Sequence, residues 1–426
     1  MMKNWAKKEQ LWKLVDKHKE DLLSICSELI QIPSAEWKGI EEILRYCCAF
    51  FDRLGISYQV LRPCGEIPCI VAQFGKDTKE FGIMNGHLDT APAGDLSRWR
   101  YEPFDGTITD SRILGRGASD MKCGCAILLF LLKLMTEEHL MLEGKLFIHL
   151  VCDEEQGGEQ GSKWLTENGY ADGAKFCIVP GPTSYDYLEI GQKGSAGVLL
   201  RTYGKAVNSS RINYAGESAA HKMIKILFHI QELSGIEGSV TQDEQEIIRT
   251  SQRMLNDVTN RLEAGETVNH INVHILSING GKGLAMTSEI CEACLALGVP
   301  FMISREQVEE KLRQIIKDSG EERCDIEFLH WQDGARTPAE DPLVLSVKRN
   351  AEKITGRQIV PAYQWATSDV KYYRSRKIPT IQFGPANNKG IQSYNEDVEI
   401  SDIISCAKTH LAVLDDLLGI IYPRAK

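Results

Sequence analysis

At 426 residues the chain is long enough for two domains with a large core, and its 43% apolar and 25% charged residues suit a soluble globular protein. A net charge of −10 argues against nucleic-acid or anionic-membrane partners, and no run is long and apolar enough to span a bilayer. Thirteen cysteines, with no leader pattern ahead of them, predict a reducing cytoplasm rather than a disulfide framework.

The N-terminal stretch reads as helix, because Trp12, Leu14, Val15, Leu22, Leu23, Ile25 and Leu29 recur at roughly helical spacing. Apolar strand-like runs then alternate with helical patterns. The strands are "CIVAQFG" from 69, "FGIMNGHLDT" from 81, "LFIHLVCDEE" from 146, "KFCIVPG" from 175 and "IPTIQFGPA" from 378; helices are predicted over 124–138 and 159–168. Such alternation predicts an α/β domain with a mostly parallel central sheet flanked by helices. Sheets of this kind place ligands at the C-terminal ends of their strands.

Between 194 and 334 the texture changes. "SAGVLLRTYGKA" and "CEACLALGVP" read as strands, 216–233 as a helix, and "SREQVEEKLRQIIKDSG" as a charged helix capped by Ser304. "HINVHILSINGG" alternates as a strand, which would put His270 and His274 on one face. The expected organisation is a catalytic α/β domain over 1–193 and 335–426, with an α+β domain inserted at 194–334.

Four clusters carry candidate chemistry: His87 and Asp89 in "NGHLDTAP", Asp120 in "LGRGASDMK", Glu154 and Glu155 in "VCDEEQGG", and the tail "FGPANNKGIQSYNEDVEI". Alone, each has a bland reading, since a histidine after a strand is usually structural and adjacent glutamates usually face solvent. Acids and a histidine at successive strand ends point further. A carboxylate beside one imidazole nitrogen fixes the tautomer and improves the other as a metal ligand. Of two adjacent glutamates, one can ligate while the other moves a proton.

These residues resemble the co-catalytic dizinc family of acetylornithine deacetylase, succinyl-diaminopimelate desuccinylase, carboxypeptidase G and aminoacylase. The likeness covers nearly the whole chain, including "RWRYEPFDGTITDSRILGRGASDMK" and "ATSDVKYYRSRKIPTIQFGP". It implies that the inserted domain pairs two subunits into a homodimer, and that the substrate is a small amino-acid-like molecule. By position, His87 would bind one metal and Glu155 the other, Asp120 would bridge them, Glu154 would be the general base, and Asp89 would orient His87.

The pattern breaks at two ligand positions. Gly181 stands where the family has an acid for the first metal, and Gln392 where it has a histidine for the second. Zinc sites normally need three or more protein ligands, and each metal here keeps two. The expectation is therefore no cofactor or one weakly bound divalent cation such as zinc, rather than two tightly bound zinc ions. Without cations the converging acids should take up protons. By the same resemblance, Asn208 stands where the family has an inserted-domain histidine that reaches the partner subunit's site to stabilise the oxyanion, and Ala285 and Gly298 stand where it has an Asn and an Arg that hold substrate. Asn208 and Gln392 carry amide N–H groups that could serve an oxyanion or a substrate carboxylate.

Cys123, three residues after Asp120, could ligate a metal as thiolate, but the bland reading of Cys123 and Cys125 is the start of a buried helix. The pairs at 47–48, 291–294 and 64–69 lack zinc-finger spacing. "GGEQGS" lacks the lysine and hydroxyl of a phosphate loop, and His410 falls in a C-terminal helix. Three functions remain open from sequence: altered or metal-independent chemistry on an amino-acid derivative in a biosynthetic pathway; conventional amide hydrolysis with a weak or single metal; and a non-catalytic binding or scaffold protein.

Overall fold

A computed structural model describes residues 5–65, 67–281, 285–321 and 323–422. The chain divides into two compact units: Met1–Ile190 with Thr337–Ala362 and Ser368–Lys426, and Gly191–Arg336 with Tyr363–Thr367.

The first unit is an α/β layer. Its central strands lie in the order Cys69–Gly75, Lys145–Val151, Phe81–His87, Ala174–Val179, Thr380–Gln382. The last four run parallel, while Cys69–Gly75 pairs antiparallel with Lys145–Val151 and extends to Tyr58–Leu61 at the edge. Phe81–His87 is buried at every position, as a strand covered on both faces must be. The helix Cys123–Glu137 is buried without a break from Cys123 to Leu132, so its apolar run reflects a core helix rather than an amphipathic one. The N-terminal helix divides into Trp5–Lys17 and Lys19–Ile30, with His18 between them at φ −105°, ψ 16°. The run predicted as helix over 159–168 forms a wide turn at Glu159–Lys163 before a short helix at Trp164–Glu167.

The second unit is a four-stranded antiparallel sheet in the order Asn272–Gly280, Ile290–Val299, Gly194–Tyr203, Cys324–Gln332, with helices packed on it. The helix read over 216–233 is shorter, Ala219–Phe228, followed by a 3₁₀ stretch, Ile230–Gly235. The charged helix begins where expected: Ser304 accepts from the Gln307 N–H, and Gln307 reaches back to the Ser304 N–H. One strand expectation is corrected. His270 precedes the strand, and its Nδ1 bonds the Glu266 carbonyl at 2.9 Å, so it does not share a strand face with His274.

Each cysteine whose side chain is described is a free thiol; that of Cys64 lies outside the described residues. Among the described residues no helix is long and apolar enough to cross a membrane.

Candidate functional site

The strands Phe81–His87 and Lys145–Val151 run parallel with His87 opposite Val151, so the turns that follow them meet at one sheet end. His87 closes the first strand and Asp89 lies two residues on. Glu154 and Glu155 occupy the 3₁₀ turn after the second, which Gly157 (φ +107°) and Gly158 (φ +74°) end. At Gly158 an added Cβ would lie 2.2 Å from Asp369 Oδ1, so this turn needs glycine for space as well as for its backbone angle.

Asp120 sits in the irregular turn Ala118–Lys122 before the buried helix. A residue that the sequence reading left without a role holds this turn. Glu396 is fully buried and accepts from Arg116 Nη1 (2.5 Å) and from the backbone N–H groups of Gly117, Ser119 and Asp120 (3.2, 2.8 and 3.1 Å). Burial pushes Glu396 up to about 7 against the pull of Arg116.

At the centre, His87 Nε2 lies 3.0 Å from Asp120 Oδ1. Its Nδ1 bonds the Asp89 carbonyl at 3.0 Å, with the Asp89 carboxylate further off at 3.6 Å. Asp89 Oδ2 instead accepts from the Glu155 N–H at 3.0 Å, so its carboxylate fixes the glutamate turn more directly than the imidazole. Burial pulls the His87 imidazole down, but hydrogen bonds to Asp120 and Asp89 outweigh it and leave His87 raised well above its ordinary value.

The second oxygen of Asp120, Oδ2, accepts from Gln392 Nε2 at 2.9 Å, and the same nitrogen lies 2.9 Å from both Glu155 oxygens. The Gln392 amide hydrogens are therefore spent on Asp120 and Glu155 rather than offered to a substrate. Glu155 is partly buried, and burial, reinforced by Asp120, pushes it up to about 7. Glu154 has no side-chain hydrogen bond among the described residues. Burial raises it, His87 pulls it down, and Asp369, Asp120 and Glu155 raise it again, for a net shift well above the ordinary range.

Two further residues escaped the sequence reading. Asp369 is buried, accepts from Ser162 Oγ at 2.8 Å, and is pushed up to about 7 by burial and then by Asp153. Gln382 flanks Gly181: a Cβ there would meet Gln382 Cδ, Cγ and Nε2 at 2.8–3.0 Å. Its Oε1 accepts from Ser368 Oγ at 3.1 Å. No local pattern marks Glu396, Asp369 or Gln382, whose partners lie far away in the chain.

The ligand atoms of His87, Asp120 and Glu155 do not all fall within 4.8 Å of one another. Among the described residues the trio that does is His18, Asp21 and Glu137, where Lys133 already bridges both acids. The donors at the central cluster are His87 with Asp120 on one side and Asp120 with Glu155 on the other. Cys123 is buried against Cys26, and Cys125 donates to the His87 carbonyl at 3.0 Å, so both thiols pack the core beneath the site. Asn208, exposed in the second unit, caps the turn Ser209–Arg211: its Oδ1 accepts from Ser210 N and Oγ at 3.1 and 2.8 Å. Ala285 accepts from the Ser209 N–H, and Gly298 lies in register with Asn272 and Ser195.

A profile described as peptidase family M20/M25/M40 matches residues 83–416. The chain is 26% identical over 439 residues to an N-formyl-4-amino-5-aminomethyl-2-methylpyrimidine deformylase of Halalkalibacterium halodurans, covering 95% of this chain and 96% of that one. It is 21% identical over 377 residues to a probable succinyl-diaminopimelate desuccinylase of Staphylococcus epidermidis, covering 87% and 91%. Among solved structures, an M20 family metallo-carboxypeptidase, Sso-CP2 of Sulfolobus solfataricus, superposes with a TM-score of 0.74 at 19% identity over 94% of this chain and 99% of that one. The YXEP protein of Bacillus subtilis, described as a dinuclear metal binding peptidase, superposes with a TM-score of 0.63 at 12% identity over 94% and 98%.

Proposed function

The chain belongs to peptidase family M20/M25/M40, and from that premise we propose that it acts on an amide of an amino-acid-derived substrate, with Glu154 as the proton-transfer group and a metal site too poor to hold a tight zinc pair. The observation that carries this reading is Glu154 itself. It is a partly buried carboxyl with no hydrogen-bond partner among the described residues, beside the His87–Asp120 pair, and burial, against the pull of His87, raises it well above the ordinary carboxylate range.

Each cation position keeps two donors of the three that zinc sites need. At the second, Gln392 presents N–H groups, which cannot ligate, and at the first the room beside Gly181 is taken by Gln382. These residues do not fit two tightly held cations; none or one weakly held divalent ion is the proposed complement. In the step, Glu154 takes a proton from an attacking water as the water oxygen bonds the amide carbon, and returns it to the departing nitrogen as the C–N bond breaks, while the protonated His87 holds Asp120 and lends positive charge to the developing oxyanion.

A homodimer is part of the proposal. Ile224 and Phe228 on the helix Ala219–Phe228 are 59% and 82% exposed, and Leu276 and Ile278 on the edge strand Asn272–Gly280 are 64% and 52% exposed.

Conventional hydrolysis with one weak metal is the second reading, supported by the deformylase and desuccinylase that align along most of the chain. The test is release of the acid or amine from a panel of N-formyl, N-acetyl and N-succinyl amines and amino acids, with and without chelator. Activity that survives chelation and disappears in Glu154→Gln supports the first reading. Activity abolished by chelation and restored by one equivalent of zinc supports the second. No turnover on any member, with ligand binding retained, leaves the binding-protein reading.

A further inference from the structure

We propose that Gln392 is a built-in replacement for a cation: its amide cross-links Asp120 to Glu155 by hydrogen bonds and sets the shape of the glutamate turn without a metal at that position. Gln392 Nε2 stands 2.9 Å from Asp120 Oδ2 and 2.9 Å from both oxygens of Glu155, so one small group touches the two carboxylates that a cation would otherwise join. An amide NH₂ has two hydrogens, enough for one bond to each carboxylate.

The backbone supports an evolved role. Gln392 has φ +53°, in the left-handed region that side chains larger than asparagine avoid, and Asn395 has φ +61°. The surrounding turn is over-determined. Arg100 N–H donates to Asn395 Oδ1 at 2.6 Å, Asp95 N–H donates to the Tyr394 hydroxyl at 3.3 Å, and the Arg98 guanidinium lies 4.0 Å over the Tyr394 ring. A strained residue held this firmly, with its functional group on two acids, is a positioning residue. The other cation position is also altered. Gly181 offers no ligand, and an amide side chain, Gln382, fills the room beside it.

The proposal concerns the same cluster as the functional reading above and rests on that cluster being the working site. Its test reads metal content and melting, which stay informative even if no amide substrate is ever found. The full-length protein, dialysed against chelator, is titrated with zinc chloride by calorimetry, and its thermal midpoint is followed at pH 8 with and without chelator. The same is done for Gln392→His and Gln392→Ala. Expected for the unaltered protein are at most one weakly bound zinc per chain and a midpoint indifferent to chelator. Gln392→His, which restores a lone-pair donor as third ligand to Asp120 and Glu155, should bind zinc about 100-fold more tightly and gain a midpoint that chelator lowers. Gln392→Ala, which leaves two carboxylates facing each other, should melt lower than the unaltered protein. Two tightly bound zinc ions in the unaltered protein would overturn the proposal. So would a Gln392→His variant that binds zinc no better, or a Gln392→Ala variant with an unchanged midpoint. If Gln392→Ala fails to fold, the Gln392→His titration decides alone.

Discussion

Replacing Glu154 by glutamine separates its catalytic role from its effect on stability. The side chain keeps its shape but can no longer accept or release a proton, so turnover should fall about 100- to 10,000-fold, or about 3–5 kcal/mol of barrier. Stability should change in the opposite direction. Glu154 is raised well above the ordinary carboxylate range, by burial first and by Asp369, Asp120 and Glu155 after the opposing pull of His87. A folded-state value above the unfolded one gives stability that is complete below the unfolded carboxyl range and is lost as pH climbs towards the folded value. Each pH unit over which the folded protein keeps this proton while the unfolded chain has released it removes about 1.4 kcal/mol from the unaltered protein, and nothing from the glutamine variant. The two proteins should therefore be alike in urea unfolding at pH 4.5, and the variant should be the more stable at pH 8. Full activity in Glu154→Gln, or two stability curves with the same slope against pH, would refute the reasoning.

Glu396→Gln leaves the buried Arg116 guanidinium without its counter-charge and loosens the Asp120 turn; urea unfolding should show a loss of about 3–5 kcal/mol, and a loss under 1 kcal/mol would contradict the role given to Glu396. Phe228→Glu should convert the proposed homodimer to a monomer in light scattering with its circular dichroism unchanged, and a persisting dimer would remove that helix from the interface. Gly181→Glu, forced against Gln382, should destabilise by about 1–3 kcal/mol, and adding Gln382→Ala should relieve part of that cost. Strict additivity of the two substitutions would show that they do not share the space.

The strands that carry the site were legible because burial on both faces writes them as uninterrupted apolar runs, and His87 and the glutamate pair stand where those runs stop. Two elements of the second unit were not read. The helix Gln242–Thr259 is mostly polar and charged, so its apolar stripe is thin, although Thr241 and Glu244 form a capping box that would have marked its start. The strand Cys324–Gln332 lies at a sheet edge, half exposed along its length, where alternation is diluted. The site divides the same way. His87, Asp89, Asp120, Glu154, Glu155 and Gln392 were singled out in the sequence through the resemblance to the dizinc family. The Glu396 grip on residues 116–120 joins segments about 280 residues apart, and only the fold brings them together.

On the proposed reading, the two substituted ligand positions and the raised carboxylates have one cause. A divalent cation does two things for converging acids: it links them in space and it cancels their charge. Gln392 can do the first, since a neutral amide reaches both Asp120 and Glu155. It cannot do the second, because an amide brings no net charge to Asp89, Asp120, Glu154 and Glu155, and His87 brings at most one. The remaining imbalance has to be met by protons, and burial favours the same outcome. Glu155 is pushed to about 7, and Glu154 also lies above its usual range. Exchanging a ligand for an amide would thus turn a site that polarises substrate through a metal into one that works through exchangeable protons. Glu154, which no side chain or backbone group among the described residues restrains by hydrogen bonding, would then be the carboxyl to transfer them.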